Sequence, residues 1–153
     1  MATTEMLLCC LEGTQNSALE IRAPAEHQLM QFSLQHGFGV ALLDIFLSPH
    51  VSMQTRQLAC LQARRFVTVH WNKQNAPSFM EPQVSEEHKR IMREQLLKGL
   101  SGEDSKLSTA VSMAVAMVAN EDYPHAWPQL LPHLLATFQA GTREQVQGAM
   151  RCA

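Results

Sequence analysis

An all-α fold of stacked antiparallel helical hairpins is what this sequence predicts, and three observations lead there. Apolar residues recur at three- and four-residue spacing in segment after segment. No run of alternating apolar and polar residues is long enough to make a useful strand. Proline and glycine then interrupt the chain at intervals that suit paired helices. At 153 residues, with 46% hydrophobic and 17% charged residues, the chain is long enough for one domain and is neither disordered nor strongly charged. A formal net charge of -2 gives no general attraction for nucleic acid, so direct nucleic-acid binding is not expected. The longest nearly apolar run, Ala110 to Ala119, falls short of the roughly 20 residues a spanning helix needs, so no membrane insertion is expected. Met1 to Cys10 lacks a basic residue ahead of its short apolar stretch, which argues against a signal peptide. Cys9, Cys10, Cys60 and Cys152 show no CxxC spacing and are expected to be reduced thiols.

The first segment, Thr4 to about Glu12, places Met6, Leu7, Cys10 and Leu11 at helical spacing, and Gly13 is expected to end it. A second runs from about Asn16 to His36 with Leu29, Phe32 and Leu34 as apolar contacts. Pro24 there implies either a kink or a main helix that begins with Pro24 in its first turn. The third, Gly39 to Leu47, is closed by Ser48-Pro49. The fourth runs from a Ser52 cap to about Trp71. Its buried side is expected to hold Leu58, Ala59, Phe66 and Val69, with Cys60, Ala63 and Val67 round one edge. Its polar stripe holds Gln54, Gln57, Arg64, Arg65 and Thr68, all within about 100° at 3.6 residues per turn.

Residues 72–84 read as a loop marked by Pro77 and Pro82. A fifth helix begins at the N-cap Ser85, with Glu86–Arg90 and Glu94–Lys98 as i,i+4 pairs and Ile91, Met92, Leu96 and Leu100 on its apolar side. The sixth, Ser105 to about Ala119, is rich in small residues that allow close helix approach, and Asp122-Tyr123-Pro124 breaks it. A seventh starts near Trp127-Pro128 and runs to Gly141, and an eighth begins at Thr142. The pairs 4–36, 39–71, 85–120 and 126–153 recur about every 40–47 residues, the period of HEAT and armadillo repeats. A HEAT-type α-solenoid is therefore expected over a plain helical bundle, because the pair order repeats while no single heptad seam runs through the chain.

Chemistry-bearing motifs are nearly absent. Gly37-Phe38-Gly39 lacks the third glycine and the preceding strand of a phosphate loop. The seven histidines form no HExxH, and no nucleophile–base arrangement stands out, so neither an enzyme nor a metal or cofactor site is expected. What remains is the fourth helix, where Gln57, Leu61, Arg64, Arg65 and Thr68 make an exposed surface with a leucine among arginines. Arginine is enriched at interface anchors, although a solvated face is the plainer reading. The basic set Lys89, Arg90, Arg93 and Lys98 alternates with Glu86, Glu87 and Glu94 and reads as a solvated face.

Particular strings carry more information than the period. Arg22-x-x-Ala25-Glu26-x-x-Leu29, Arg56-Gln57-Leu58-Ala59, Phe66-Val67-x-x-His70-Trp71 and Trp127-Pro128-Gln129-Leu130-Leu131-Pro132 occur in that order. The ordered set resembles the N-terminal region of importin-β-type nuclear transport receptors, the karyopherins. Val146-x-Gly148-Ala149-Met150-Arg151 looks most like the importin-9 branch. The resemblance covers about residue 16 to the end. It implies HEAT repeats whose second helices, here 16–36, 52–71, 105–119 and 142–152, line a concave surface. It also implies binding of the GTP form of the small GTPase Ran by those helices. Cargo and nuclear pore proteins would be partners of a longer parent that shuttles between cytoplasm and nucleus. Two departures stand out: Pro24 interrupts the first concave helix, and the family's chains are several-fold longer, so this chain reads as a fragment or shortened form. Arg64 falls where the family usually has a lysine. The alternative is a stand-alone helical adaptor that binds a peptide or partner helix without any role for Ran.

Overall fold

A computed structural model of the chain describes residues 4–35, 37–72, 78–100, 104–123 and 125–140. Among these lie seven α-helices and no strand: α1 Thr4–Thr14, α2 Leu19–Phe32, α3 Phe38–Leu47, α4 Met53–His70, α5 Glu86–Leu100, α6 Ser105–Asp122 and α7 Leu130–Ala140. The eighth helix expected from Thr142 lies outside the described residues. None of the described helices is long and apolar enough to cross a membrane.

Local chemistry explains most of the boundaries. Ser52 caps α4 by accepting a hydrogen bond from the Thr55 amide, and Ser85 does the same for the His88 amide at the start of α5. Asp104 caps α6 by accepting from the amides of Lys106 and Leu107 at 2.9 and 3.1 Å. Two expectations need correcting, and of the two readings of Pro24 the one that starts the helix there falls away. Gly13 does not end α1; it sits inside the helix, where a Cβ would come within 2.8 Å of the Ala25 methyl. That glycine serves the close approach of α1 and α2. Pro24 is preceded by a full turn of α2 and so lies in the helix interior, not its first turn. α7 begins at Leu130, not at Trp127-Pro128, because the Ala126 and Trp127 amides both fold back to donate to the Asp122 carbonyl.

The helices form hairpins, α1 with α2, α3 with α4 and α5 with α6. The first helices α1, α3 and α5 make one layer, and among the second helices α4 and α6 pack side by side. This is the HEAT-type solenoid that the sequence predicts. One core runs through it, from Leu7 and Leu11 in α1 through Leu42, Leu43, Ile45 and Phe46 in α3 to Val111, Val115 and Val118 in α6. Close approach in its middle depends on Gly39, where a Cβ would fall 2.6 Å from the Phe66 ring and 2.7 Å from Met92. Polar clasps tie the helices together within and between the layers. The Gln95 amide nitrogen donates to the Val40 carbonyl and the Asp44 carboxylate, and Arg56 Nε donates to the Phe46 carbonyl at 2.7 Å.

The basic residues of α5 depart from the solvated face expected of them. Lys89 and Arg93 are drawn inward over the Trp71 ring, at 5.4 and 5.8 Å from its centre. Arg93 pairs with the Asp122 carboxylate at 2.9 Å with both side chains almost fully covered, and the Trp71 indole N–H donates to the same carboxylate at 3.1 Å. Asp122 thus joins α4, α5 and α6 at one point. The ion pairs along α5 also differ from the expected ones: Arg90 pairs forward with Glu94, and Lys89 pairs back to Glu86.

Candidate partner-binding surface

Helix α4 presents three faces, and its residue spacing decides which side chain goes where. Ala59, Cys60, Ala63, Val67 and His70 are buried. Small residues dominate this face because α3 and α6 both lie close against α4. On the opposite side Gln57, Leu61 and Thr68 follow one line, four and then seven residues apart. Thr68 is exposed and its hydroxyl donates back to the Arg64 carbonyl at 3.1 Å, while Gln57 is half-buried. Leu61 is 38% exposed, an apolar point in the polar line.

Arg64 and Arg65 do not act as a pair, because consecutive helical residues diverge by about 100°. Arg64 is half-buried on the flank that carries Cys60, and its Nε is fully covered without a hydrogen-bond partner. The Cys60 thiol there is pushed up to about 11, chiefly by burial, with the Arg64 guanidinium pulling the other way. Arg65 is exposed on the other flank and lines a cleft.

That cleft, of about 670 Å³, opens between α2 and α4. Leu58, Phe66 and Val69, expected in the buried face of α4, are only half-buried and form one wall of it. Leu29 and Met30 of α2, with Leu34 in the turn just after it, supply the other wall, with Met30 68% and Leu34 55% exposed. Sequence reasoning missed the cleft. The available signal was Met30 near the end of α2 and Leu34 just beyond it, two large apolar residues set among the buried Leu29 and Phe32.

One end of the cleft is set by the segment 78–84, which turns back over the end of α4. The Met80 amide donates to the Val69 carbonyl at 2.9 Å and the Val84 amide to the His70 carbonyl at 3.0 Å. Buried His70 places Nδ1 2.8 Å from the Met80 carbonyl and 3.0 Å from the Pro82 carbonyl. Carbonyl oxygens only accept, so Nδ1 carries the hydrogen and the ring pins the segment. At the other end the Gln15 side chain donates to Thr55 Oγ1 at 2.9 Å, holding the α1–α2 turn against the first turn of α4.

No group of three histidine, cysteine, aspartate or glutamate side chains among the described residues is arranged to hold a metal ion. The surface offers arginine donors, amide and hydroxyl groups and an apolar recess. That is the chemistry of recognition.

The model of the importin-beta N-terminal domain matches residues 25–101, from within α2 to the end of α5. Importin-9 of Drosophila melanogaster is 28% identical over 146 residues, covering 92% of this chain and 14% of that protein. Importin-11 of Homo sapiens is 31% identical over 138 residues, covering 90% of this chain and 14% of that protein. The chain therefore spans about one-seventh of the length of these relatives. Among solved structures, yeast importin-β, Kap95p, superposes with a TM-score of 0.85 at 20% identity, over 99% of this chain and 18% of that one. Kap95p is similarly matched in a structure with RanGDP, at a TM-score of 0.82, 21% identity and 97% of this chain against 18% of that one. The exportin Cse1 in its cargo-free, cytoplasmic state matches at a TM-score of 0.82 and 18% identity, over 99% of this chain and 16% of that one. At these identities the structures speak for the fold. With the domain model covering half of the sequence, the chain belongs to the importin-β family.

Proposed function

We propose that this chain is the N-terminal HEAT-repeat part, residues 1–153, of a nuclear import receptor, and that its second helices bind the GTP form of Ran. The observation that carries this reading is the domain match over residues 25–101, which includes the whole of α4 and its exposed line. Support for Ran as partner comes from Kap95p, whose binding induces the switch loops of RanGDP to adopt the GTP-bound conformation. Nuclear pore proteins are proposed as partners of the longer receptor because Kap95 also forms a complex with Nup1. Import is favoured over export because importin-11 is 31% identical and exportin-2 of Drosophila melanogaster 22%. Cargo would engage parts of the longer receptor, which shuttles between cytoplasm and nucleus and acts by binding, not by catalysis.

In this reading Gln57, Leu61, Arg64, Arg65 and Thr68 contribute to the Ran-binding surface. Acidic or carbonyl groups of the GTPase accept charge-assisted hydrogen bonds from the arginines, and Leu61 supplies apolar contact between them. A titration of the chain against Ran loaded with GTP or GDP is the test. The expected result is tighter binding of the GTP form, weakened by roughly 1–3 kcal/mol when Arg64 and Arg65 are both replaced by alanine. Equal affinity for the two nucleotide forms would favour the stand-alone adaptor. Unchanged affinity in a folded double variant would remove the arginines from the site.

A further inference from the structure

The cleft between α2 and α4 has the size and lining of a small-molecule site. Its volume of about 670 Å³ lies within the range of roughly 300–1,000 Å³ for such sites, and its walls are mostly aliphatic and aromatic. Met30, Leu34 and Met80 keep more than half of their surface in water although they stand around one recess. Burying apolar surface of this kind is favourable by about 25 cal/mol per Å². An apolar chain laid into the recess therefore gains from both walls at once.

Two observations narrow the occupant. First, the recess has a limited length: Thr14 and Gln15 line it where Gln15 is held to Thr55, and Met80 and His70 line it where the segment 78–84 is pinned down. Between these ends the α4 wall from Leu58 to Val69 is about 17 Å long at 1.5 Å per residue. A slim chain of limited length can lie inside. Second, the charges on the rim are unequal. Glu26 is paired with Arg22 at 3.9 Å, whereas Arg65 has no ion-pair partner among the described residues. Gln62 stands one turn before it on the same rim and adds amide donors. The rim thus offers a guanidinium and an amide to an anion, and the floor offers apolar contact to a tail.

We propose that the α2–α4 cleft binds a fatty-acid-like carboxylate, its tail between Met30 and Leu34 on one side and Leu58 and Phe66 on the other. Its headgroup accepts hydrogen bonds from Arg65 and Gln62. This goes beyond the Ran-binding reading and does not depend on it, since the ligand is a small amphiphile and its binding is measured without any GTPase.

The experiment is a titration of the 153-residue chain, labelled at its methionine methyl groups, with decanoate and with decanol below the concentrations at which either aggregates. The Met30 and Met80 methyl signals should shift saturably, while those of Met6 and Met113, which do not line the cleft, stay in place. Arg65→Ala should weaken decanoate about tenfold, the lower end of the range for a hydrogen bond to a charged group. The same variant should change decanol affinity less than twofold. Leu34→Asp, an exposed substitution, should abolish binding of both, with circular dichroism showing that the helices persist. Unmoved Met30 and Met80 signals would overturn the proposal. So would equal shifts at Met113, or decanoate affinity indifferent to Arg65→Ala. Failure of the chain to bind Ran would leave these signals as they are.

Discussion

The two flanks of α4 are built on opposite plans. On the α6 flank the contact is closed by small side chains and locked by Asp122, which accepts from the Trp71 indole and the Arg93 guanidinium. On the α2 flank large apolar side chains stand apart and leave a cleft of about 670 Å³. α2 leans on α1, through the Gly13–Ala25 approach, and reaches α4 chiefly through the turn that Gln15 holds. One helix thus carries one flank that is packed shut and another that stands open. The difference teaches where each kind of substitution should be felt.

The largest expected effect is on the closed flank. Arg93→Ala leaves the Asp122 carboxylate buried with the indole as its remaining side-chain donor, and breaking a buried pair in this way costs about 3–5 kcal/mol. At about 2–4 °C per kcal/mol for a domain of this size, the midpoint of thermal unfolding should fall by roughly 6–20 °C. A fall within 2 °C would show that the Asp122 junction does not hold the stack together.

The open flank should respond the other way round. Arg65→Ala removes an exposed side chain and should leave stability within about 0.5 kcal/mol. It should nevertheless account for most of the loss in GTP-form Ran binding seen on replacing both arginines. Arg64→Ala, by contrast, deletes a half-buried group whose Nε lacks a partner, so its effect on binding should be the smaller. Single-variant titrations with unfolding controls decide this. A larger binding loss for Arg64→Ala would place the contact on the wrong flank.

Cysteine reactivity sharpens the contrast. With its thiol pushed up to about 11 and its side chain buried, Cys60 should resist iodoacetamide at pH 8, whereas exposed Cys9 should react readily. Labelling of Cys60 then reports opening of the closed flank. In Arg93→Ala it should accelerate at least about a hundredfold, since every 1.4 kcal/mol is a factor of ten. Mass spectrometry of timed samples reads both sites. Cys60 reacting as fast as Cys9 in the unmodified chain would refute the packed arrangement around it.

How far the sequence carried follows from what each feature depends on. The caps at Ser52 and Ser85 were legible, because capping is settled within three or four residues of chain. The stack of hairpins was legible too, because the alternation of apolar runs with proline and glycine repeats along the chain. The role of Arg93 was not, since its partner Asp122 lies 29 residues away and only the folded chain brings them together. Glutamates at neighbouring helical positions made Arg93 look solvated. On α4 the spacing put Gln57, Leu61 and Thr68 on one line, but it placed Leu58, Phe66 and Val69 in a core. Periodicity tells which residues avoid the polar side. It cannot tell that the neighbouring helix α2 stands off and leaves them lining a recess.

The smallest effect expected is a pH dependence at the end of the described chain. His133 lies in the first turn of α7, where its amide donates to the Gln129 carbonyl, and half-burial of its ring lowers its pKa below the ordinary value near 6.5. The sign follows from proton linkage. Below about pH 6.5 the unfolded chain binds a proton at this position more readily than the folded chain does, so stability rises with pH through that window. The contribution is complete above the unfolded value and declines as pH falls through the folded one. Because the ring remains substantially open to water, the change should be far smaller than that from Arg93→Ala. Two measurements check it. The imidazole signal of His133, followed by NMR, should titrate with a midpoint below 6.5, and His133→Gln should flatten part of the stability change between about pH 7.5 and 5.5. A midpoint at or above 6.5 would mean that α7 does not cover the ring, and that the packing of Trp127, Leu130 and Leu134 onto the core is looser than the structure describes.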